Sequence, residues 1–110
     1  MIYYKEIKVE EHYLNCFEIA CKYKIYTTKT DKPHSRFVAR IIKEYKARHN
    51  ITETIYYKTS RGDMMMVYPE AMYEPLIKEM LGEFEVNTPH EMVFDNKTHY
   101  FTIKEAIKWN

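Results

Sequence analysis

The segment from His34 to Asn50 reads HSRFVARIIKEYKARHN and carries the clearest pattern in the chain. Apolar side chains recur along it at the spacing of one helix side, and basic side chains occupy the opposite side. Its start is predicted at Thr30-Asp31-Lys32-Pro33, where a capping side chain precedes a proline, and its end at about His49, with Asn50 as the stop. Because such an apolar stripe must be buried, the segment predicts a helix that packs on a β-sheet.

Alternating apolar and polar residues before this helix supply candidate strands. Residues 2–9 predict a first strand. Phe17 to Thr27 alternate almost without exception and therefore predict a second strand. Residues 12–16 fit either the beginning of that strand or a helical turn, and the pattern leaves both open.

Two β-hairpins are predicted after the helix. The first turns at Ser60-Arg61-Gly62-Asp63 and the second at Asp95-Asn96-Lys97-Thr98, both rich in residues that favour turns. Alternation on either side of each turn indicates the strands. They are Ile51 to Ser60 with Met64 to Tyr68, and Glu91 to Phe94 with His99 to Phe101.

Two further helices are expected. Residues from about Tyr73 to Leu81 form one, with Pro75 in its first turn, where proline is tolerated, and Gly82 at its end. The segment Thr102-Ile103-Lys104-Glu105 matches the capping-box pattern and predicts a short helix at the C-terminus.

The order of these elements predicts an α+β fold in a single domain, residues 1–110. We expect an antiparallel sheet of about five to six strands with two helices on one face. The central βαββαβ order matches a ferredoxin-like core. An extra N-terminal strand and a C-terminal hairpin strand with a short helix would be added to that core. Three successive ββα units are an alternative that the same order permits.

Composition limits the class of protein. The 110 residues are 45% hydrophobic and 15% aromatic, which excludes a disordered tail and suffices for one domain. The first residues lack the basic start and apolar core of a signal peptide, and the longest uncharged runs are too short to span a bilayer. We therefore expect a cytoplasmic protein with no membrane partner. Residues with AT-rich codons, such as Lys, Ile and Tyr, are abundant, which is typical of low-GC bacteria and their phages.

Neither a metal site nor a catalytic site is predicted. Cys16 and Cys21 are five residues apart, a spacing that prevents a disulfide within either a strand or a helix. His12 adds an H-x3-C-x4-C string, but its spacing is unlike that of a zinc site. The aspartates lie at predicted caps or turns, where they serve local hydrogen bonds. We expect no cofactor, no metal and no catalytic residue, and a metal-dependent nuclease using Asp31 is the remaining enzymatic alternative.

Charge is distributed unevenly along the chain. Residues 22–61 contain eleven Lys or Arg and three Asp or Glu, a net charge of +8, whereas residues 62–96 contain one Lys and eight acids, a net charge of −7. An ordinary exposed helix side mixes Lys with Glu, so the basic block indicates a surface for a polyanion, most simply nucleic acid, unless the layout arose by chance. The predicted contacts are Lys32, Arg36, Arg40, Lys43, Lys46 and Arg61. This prediction requires that Arg36, Arg40 and Lys43 are not neutralised by acids of the same chain.

Strand parity predicts a second surface that mixes tyrosines with lysines. Its members are Tyr26, Tyr56, Lys22, Lys24 and Lys58. If these side chains point away from the helices, they form a sheet face on which unpaired bases could stack. The alternative is that the first and last strands or the C-terminal helix cover this face, which would make the tyrosines part of the core.

Together these patterns predict a non-catalytic binding or regulatory protein that docks a polyanionic partner through a basic helix side. The main alternative is an inhibitor, of the anti-CRISPR or anti-restriction type, that binds a bacterial nuclease, defence complex or other nucleoprotein complex without contacting nucleic acid. In that case the acidic region would imitate DNA, or the basic helix would bind an acidic partner. A homodimer that pairs the basic region of one copy with the acidic region of another is also compatible with the charge layout.

Overall fold

A computed structural model of the chain describes residues 3–4, 13–58, 61–82 and 84–108. Helices and strands alternate irregularly along these residues, so the predicted α+β class is confirmed. The elements, in chain order, are β1 (Tyr3–Tyr4), β2 (Tyr13–Leu14), α1 (Cys16–Lys22), β3 (Ile25–Thr27), α2 (Ser35–Arg48), β4 (Ile55–Lys58), β5 (Met64–Pro69), α3 (Glu70–Leu81), β6 (Pro89–Phe94) and β7 (Lys97–Ile103).

The described strands form two sheets instead of the single sheet that the sequence predicted. One sheet has the order β1-β4-β5-β2, with β1 parallel to β4 and the other pairs antiparallel. The other is antiparallel and has the order β3-β7-β6. Since β3 pairs with β7 and not with β4 or β5, the ferredoxin-like arrangement is absent from the described residues. Most of the predicted strand 2–9 lies outside them.

The predicted strand from Phe17 to Thr27 is wrong over its first half, which is helix α1. Asn15 begins the helix with a reciprocal cap: its side chain accepts a hydrogen bond from the backbone N–H of Glu18, and the Glu18 carboxylate accepts one from the N–H of Asn15. Such a cap satisfies two otherwise unpaired donors. Ile19 and Tyr23 are four residues apart and both buried, so the apolar residues serve a helix as well as a strand.

The helix predicted for the basic segment is confirmed as α2, but it begins later than predicted. The loop continues past the predicted start at Thr30, because Pro33 forms an isolated bridge with Tyr26 and His34 is the residue that caps the helix. At the other end, Asn50 has a φ of +53°, which confirms the predicted stop. The apolar stripe is buried over Phe37, Val38, Ile41 and Ile42.

Both predicted hairpins are confirmed as strand pairs, but Lys97 and Thr98, predicted in the second turn, belong to β7, and Ser60 of the first predicted turn lies outside the described residues. Strands β4 and β5 pair from Ile55 opposite Val67 to Lys58 opposite Met64, so residues 51–54 precede the strand instead of belonging to it. Strands β6 and β7 pair around a two-residue turn, in which Asp95 and Asn96 have φ values of +48° and +63°. Two consecutive positive φ angles match the hairpin turn whose twist suits antiparallel strands.

The two other predicted helices, one ending at Leu81 and one at the C-terminus, differ from the structure. Helix α3 starts at Glu70, three residues earlier than predicted, so Pro75 lies inside the helix and not in its first turn. Gly82 ends it, and a Cβ atom there would lie 2.6 Å from the carbonyl oxygen of Lys78. The predicted C-terminal helix is wrong, because Thr102 and Ile103 belong to β7 and residues 104–108 are not helical.

The main core lies between the three described helices and the β3-β7-β6 sheet. Phe37 of α2 stacks on Phe101 of β7 with ring centroids 4.4 Å apart, and both side chains are fully buried. Burying each ring contributes about 2–3 kcal/mol. This stack fixes α2 against β7, and the same two elements form the walls of the site described next. Among the described residues, no helix is both long and apolar enough to cross a membrane.

Candidate functional site

A groove of about 840 Å³ opens between three separate parts of the chain. One wall is the N-terminal half of α2, the second is the loop of residues 27–30, and the third is the turn end of the β6–β7 hairpin. Its cationic lining residues are Lys29, Arg36, Arg40, Lys43 and Lys97. No described Asp or Glu belongs to the lining, so we call this cleft the basic groove.

Within the described part of the chain, Arg40 is the groove cation that forms ion pairs with carboxylates. Its Nη2 lies 2.5 Å from Glu44 Oε1 and 2.6 Å from Asp95 Oδ2, and only 17% of its side chain is exposed. The guanidinium also lies over the ring of Phe94, 5.6 Å from its centroid. Hydrogen bonds to Asp95 and then Glu44 raise the pKa of Arg40 against the effect of burial. Arg40 therefore joins α2 to the β6–β7 turn and holds two walls of the groove together.

Arg36 and Lys43 have no such partner. Both are exposed, and neither forms an ion pair with any residue in the described part of the chain. They are two helical turns apart on the same side of α2, about 10 Å along its axis. Of the three residues on which the polyanion prediction depended, Arg40 alone is paired with acids of the described residues.

Lys29 and Lys97 belong to the groove but were not predicted. Lys29 lies in the loop after β3, and Lys97 is the first residue of β7, far away in sequence. Neither position has a periodic signal, because each is in or beside a turn. Only the pairing of β3 with β7 brings the loop and the hairpin to the same end of the sheet.

The backbone of β7 also contributes to the groove. Strand β3 pairs with β7 only from Phe101 to Ile103, opposite Thr27 to Ile25. On that side of residues 97–100, no described strand continues the sheet, and these four residues line the groove. Backbone donors and acceptors on an open strand edge can hydrogen-bond a ligand.

Two histidines, His34 and His99, line the groove, and their pKa values are lowered. The rings of His34 and His99 lie on either side of Phe37, with centroids 5.6 and 5.9 Å from its ring. Burial lowers the pKa of His34, and the nearby His99 and Arg36 lower it further. Burial likewise lowers the pKa of His99, followed by the charges of Arg40, Lys97 and Arg36. Burial and, to a smaller extent, the neighbouring cations therefore both oppose protonation of the two rings.

The ring nitrogens of His34 and His99 differ in their hydrogen bonds. His34 Nδ1 accepts a hydrogen bond from the backbone N–H of Phe37, 3.3 Å away, so the proton of the neutral ring belongs on Nε2. His99 Nε2 is buried and has no hydrogen-bond partner among the described residues.

The other three predicted polyanion contacts lie outside the groove. The Nζ of Lys46 donates to Thr54 Oγ1 at 3.4 Å, and burial lowers its pKa. Arg61 belongs to the exposed turn between β4 and β5, and Lys32 is exposed in the loop before α2. None of the three lines the groove beside Arg36 and Lys43.

The tyrosine and lysine residues predicted to share one sheet face do not share one. Tyr26 lies on β3 and Tyr56 on β4, which are strands of different sheets. Lys22 ends helix α1, Lys24 follows in a turn with a φ of +54°, and Lys58 is the last residue of β4. The prediction assumed one sheet that contains both segments, whereas β3 and β4 belong to different sheets and Lys22 belongs to helix α1.

Outside the basic groove, the described residues that could bind a metal or act in catalysis are dispersed. Among the described residues, no group of three or more His, Cys, Asp or Glu side chains could hold a metal ion. Cys16 and Cys21 are free, and burial raises the pKa of Cys16. Asp31 Oδ1 lies 2.5 Å from Lys104 Nζ, so the carboxylate of the alternative metal-dependent nuclease is engaged in an ion pair.

Comparison with known proteins yields no relative for this chain: no family model matches it, and no curated protein and no solved structure is significantly similar.

Proposed function

We propose that this protein binds a polyanion, most simply a nucleic acid, in the basic groove. The observation that carries the proposal is convergence: Arg36 and Lys43 from α2, Lys29 from the loop and Lys97 from the hairpin line one concave surface without a described carboxylate among its lining residues. Cations scattered over a convex surface would each be hydrated separately, whereas a cleft that concentrates one sign of charge attracts anions at a distance.

Phosphate groups fit this lining better than carboxylates do. Arg36 presents several donors that can bind two phosphate oxygens at once, and the lysines act as point charges. Such contacts position a nucleic-acid backbone and do not select a base sequence. The lowered pKa values of His34 and His99, which are due mainly to burial and then to nearby charges, keep both rings neutral near pH 7, so the groove charge comes from its Lys and Arg side chains.

The proposal gives Arg40 a different role from its neighbours. Its two carboxylate partners leave little charge for a ligand, and its contacts join α2 to the hairpin turn. Arg40 therefore keeps the walls at a constant separation while Arg36, Lys43, Lys29 and Lys97 contact phosphates.

Salt dependence tests the proposal. Neutralising about four phosphates should lower affinity about 150-fold for a duplex and about 50-fold for a single strand between roughly 50 and 200 mM salt, because bound counterions are released from the nucleic acid. Binding of short single-stranded and duplex oligonucleotides is measured by fluorescence anisotropy across this range. The proposal is refuted if neither oligonucleotide binds at the lower salt concentration.

A matched pair of variants separates the groove from general surface charge. Arg36→Ala/Lys43→Ala removes two groove cations, and Lys32→Ala/Arg61→Ala removes two exposed cations outside it, so both variants lose the same net charge. We expect the first to lose most of the affinity and about half of the salt dependence, and the second to retain both. Equal losses in the two variants would contradict binding in the groove.

A second candidate function is binding of an acidic protein segment, as an inhibitor or regulator. The open edge of β7 at residues 97–100 favours it, because an extended peptide can add to such an edge through backbone hydrogen bonds. An acidic peptide would also satisfy the groove cations. If a poly-glutamate peptide binds more tightly than every oligonucleotide at the same salt concentration, this second function is favoured.

A further inference from the structure

We propose that strand β6 pairs with β6 of a second copy of this chain and so joins two molecules into a dimer. Strand β6 lies at one end of the β3-β7-β6 sheet, so one of its edges is paired with β7 and the other is paired with no described strand. The basic groove is not used by this contact, because β6 contributes only Phe94 to the groove lining.

The two outer edges of this sheet differ in how they are covered. On β3, the N–H of Thr27 donates to the carbonyl of Lys32 at 2.8 Å, and the carbonyl of Ile25 accepts from the N–H of His34 at 2.9 Å. The chain itself therefore covers that edge. On β6, no described residue outside β7 forms a backbone hydrogen bond with residues 89–94. Unpaired N–H and C=O groups on a strand edge are a template for another strand.

The unpaired backbone groups of β6 belong to Glu91 and Val93. In an antiparallel hairpin closed by a two-residue turn, the pair that flanks the turn exchanges both backbone hydrogen bonds, and every second pair does the same. Phe94 therefore directs its N–H and C=O groups toward Lys97 of β7, and Met92 directs its own groups to the same side. The alternate residues, Glu91 and Val93, direct theirs to the open edge.

Features that protect exposed strand edges are scarce on β6. Such edges typically carry a lysine, a bulge or an internal proline. Strand β6 contains no Lys or Arg, its register with β7 is unbroken over all six pairs, and its proline is the first residue. Val93, an apolar and β-branched residue on this edge, is 61% exposed. A strand added to the edge would satisfy the backbone groups and cover part of this side chain.

Charge selects a register in which β6 can pair with itself. The antiparallel pairing can be centred on Glu91, on Met92 or on Val93. The first places Glu91 opposite Glu91 of the second copy, and the last places Glu91 opposite Asp95, so both oppose like charges, which destabilises a strand pair. Centring on Met92 places Glu91 opposite Val93 in both directions. The same contacts then recur on each side of a two-fold axis, as a closed dimer requires.

The test is sedimentation equilibrium of the wild type and of variants at Val93, with a reductant present because Cys16 and Cys21 are free. We expect a weak wild-type dimer with a dissociation constant on the order of 100 µM, since pairing of one strand forms a small interface. Val93→Pro removes an N–H of the open edge without removing a bond to β7, so it should abolish the dimer. Val93→Glu, opposite Glu91, should weaken dimerisation at least about tenfold, whereas Val93→Lys, opposite the same carboxylate, should retain or strengthen it.

Phe17→Glu is the matched control, because it introduces the same charge at another exposed apolar residue, on helix α1. It should dimerise like the wild type. A wild type that stays monomeric up to about 1 mM overturns the inference and leaves the edge to a strand of another protein. A dimer that persists in Val93→Pro, or that weakens equally in Val93→Glu and Val93→Lys, also overturns it. Dimerisation is measured without nucleic acid, so this inference and the proposed function can fail separately.

Discussion

Helices α2 and α3 each present a charged side away from the core, basic in α2 and acidic in α3. On α2 the cations Arg36 and Lys43 face a second wall, formed by the hairpin and the loop of residues 27–30. On α3 the residues Glu70 and Glu74 lie with Lys78 at a shallow surface that only α3 itself lines. Helix α2 has a net charge of +4 and α3 a net charge of −2, and among the described residues it is α2 whose charged side meets cations from other parts of the chain.

The charged residues of the two helices also differ in their bonding partners. Glu79 of α3 is bonded to His49 at the end of α2, with Nε2 2.9 and 3.1 Å from its two carboxylate oxygens. Glu79, about half a turn around α3 from Glu70, thus contributes to a contact within the fold. The comparison teaches that a run of like charges on a helix predicts a binding site only when the tertiary structure brings further charges of the same sign to face it.

The largest expected effect concerns the core beneath the groove. Phe37→Ala should lower the free energy of unfolding by about 3–5 kcal/mol, because it removes a fully buried ring that stacks on Phe101. Leu76→Ala in α3, also fully buried, should cost about 2–5 kcal/mol. Denaturant unfolding measures both.

The two core variants should differ in binding more than in stability. At a temperature where both remain folded, we expect Phe37→Ala to weaken oligonucleotide binding, since His34 and His99 both pack against that ring. Leu76→Ala should leave binding unchanged. Equal binding by both variants would show that the core under α2 has no special part in shaping the groove.

Charge reversal tests the comparison directly. Arg36→Glu/Lys43→Glu should lower oligonucleotide affinity by about 100-fold, because it places two negative charges where phosphates are expected to bind. The matched variant Glu70→Lys/Glu74→Lys, which makes α3 basic, should bind within about threefold of the wild type. If the second variant binds much more tightly than the wild type, a basic helix is sufficient without the groove.

Stability should depend on pH through the histidines of the groove. The pKa values of His34 and His99 are lowered in the folded state, whereas the unfolded chain takes up these protons near the usual value of about 6.5. The unfolded state then binds more protons below that pH, so the stability present above about pH 6.5 is lost as pH falls through and below it. Denaturant unfolding between about pH 7.5 and 5 measures the slope. His34→Gln/His99→Gln should make it shallower, and an unchanged slope would contradict the prediction.

The smallest effect is expected at the contact between α2 and the hairpin. Asp95→Asn should cost no more than about 1 kcal/mol of stability, because asparagine tolerates the φ of +48° at this turn position and the ion pair of the 74% exposed Asp95 side chain with Arg40 is screened by water. The same change releases Arg40 and removes an acid beside the groove, so oligonucleotide affinity should rise a few fold. A loss of affinity would indicate that the spacing of the walls matters more than the charge of Arg40.

Local patterns determined several elements of this fold before any tertiary contact was considered. The residues of α2, the stop at Asn50, both hairpin turns and the end of α3 at Gly82 were predictable, because each depends on side chains within a few positions of one another. Local patterns also failed where two structures suit the same residues. Residues 17–22 alternate like a strand but are helical owing to the cap at Asn15, and the capping-box pattern at Thr102 lies within a strand that pairs with β3 and β6.

By itself, the sequence established that this is an α+β chain with a basic helix side and a strongly uneven charge layout. Only the tertiary structure decided that the strands form two sheets, that Arg40 is neutralised by Asp95 and Glu44, and that Lys29 and Lys97 join Arg36 and Lys43 around one groove. The physical reason is distance along the chain. Helix sides and turns follow from neighbouring residues, whereas strand pairing and the meeting of charges depend on contacts between segments tens of residues apart, which no local pattern encodes.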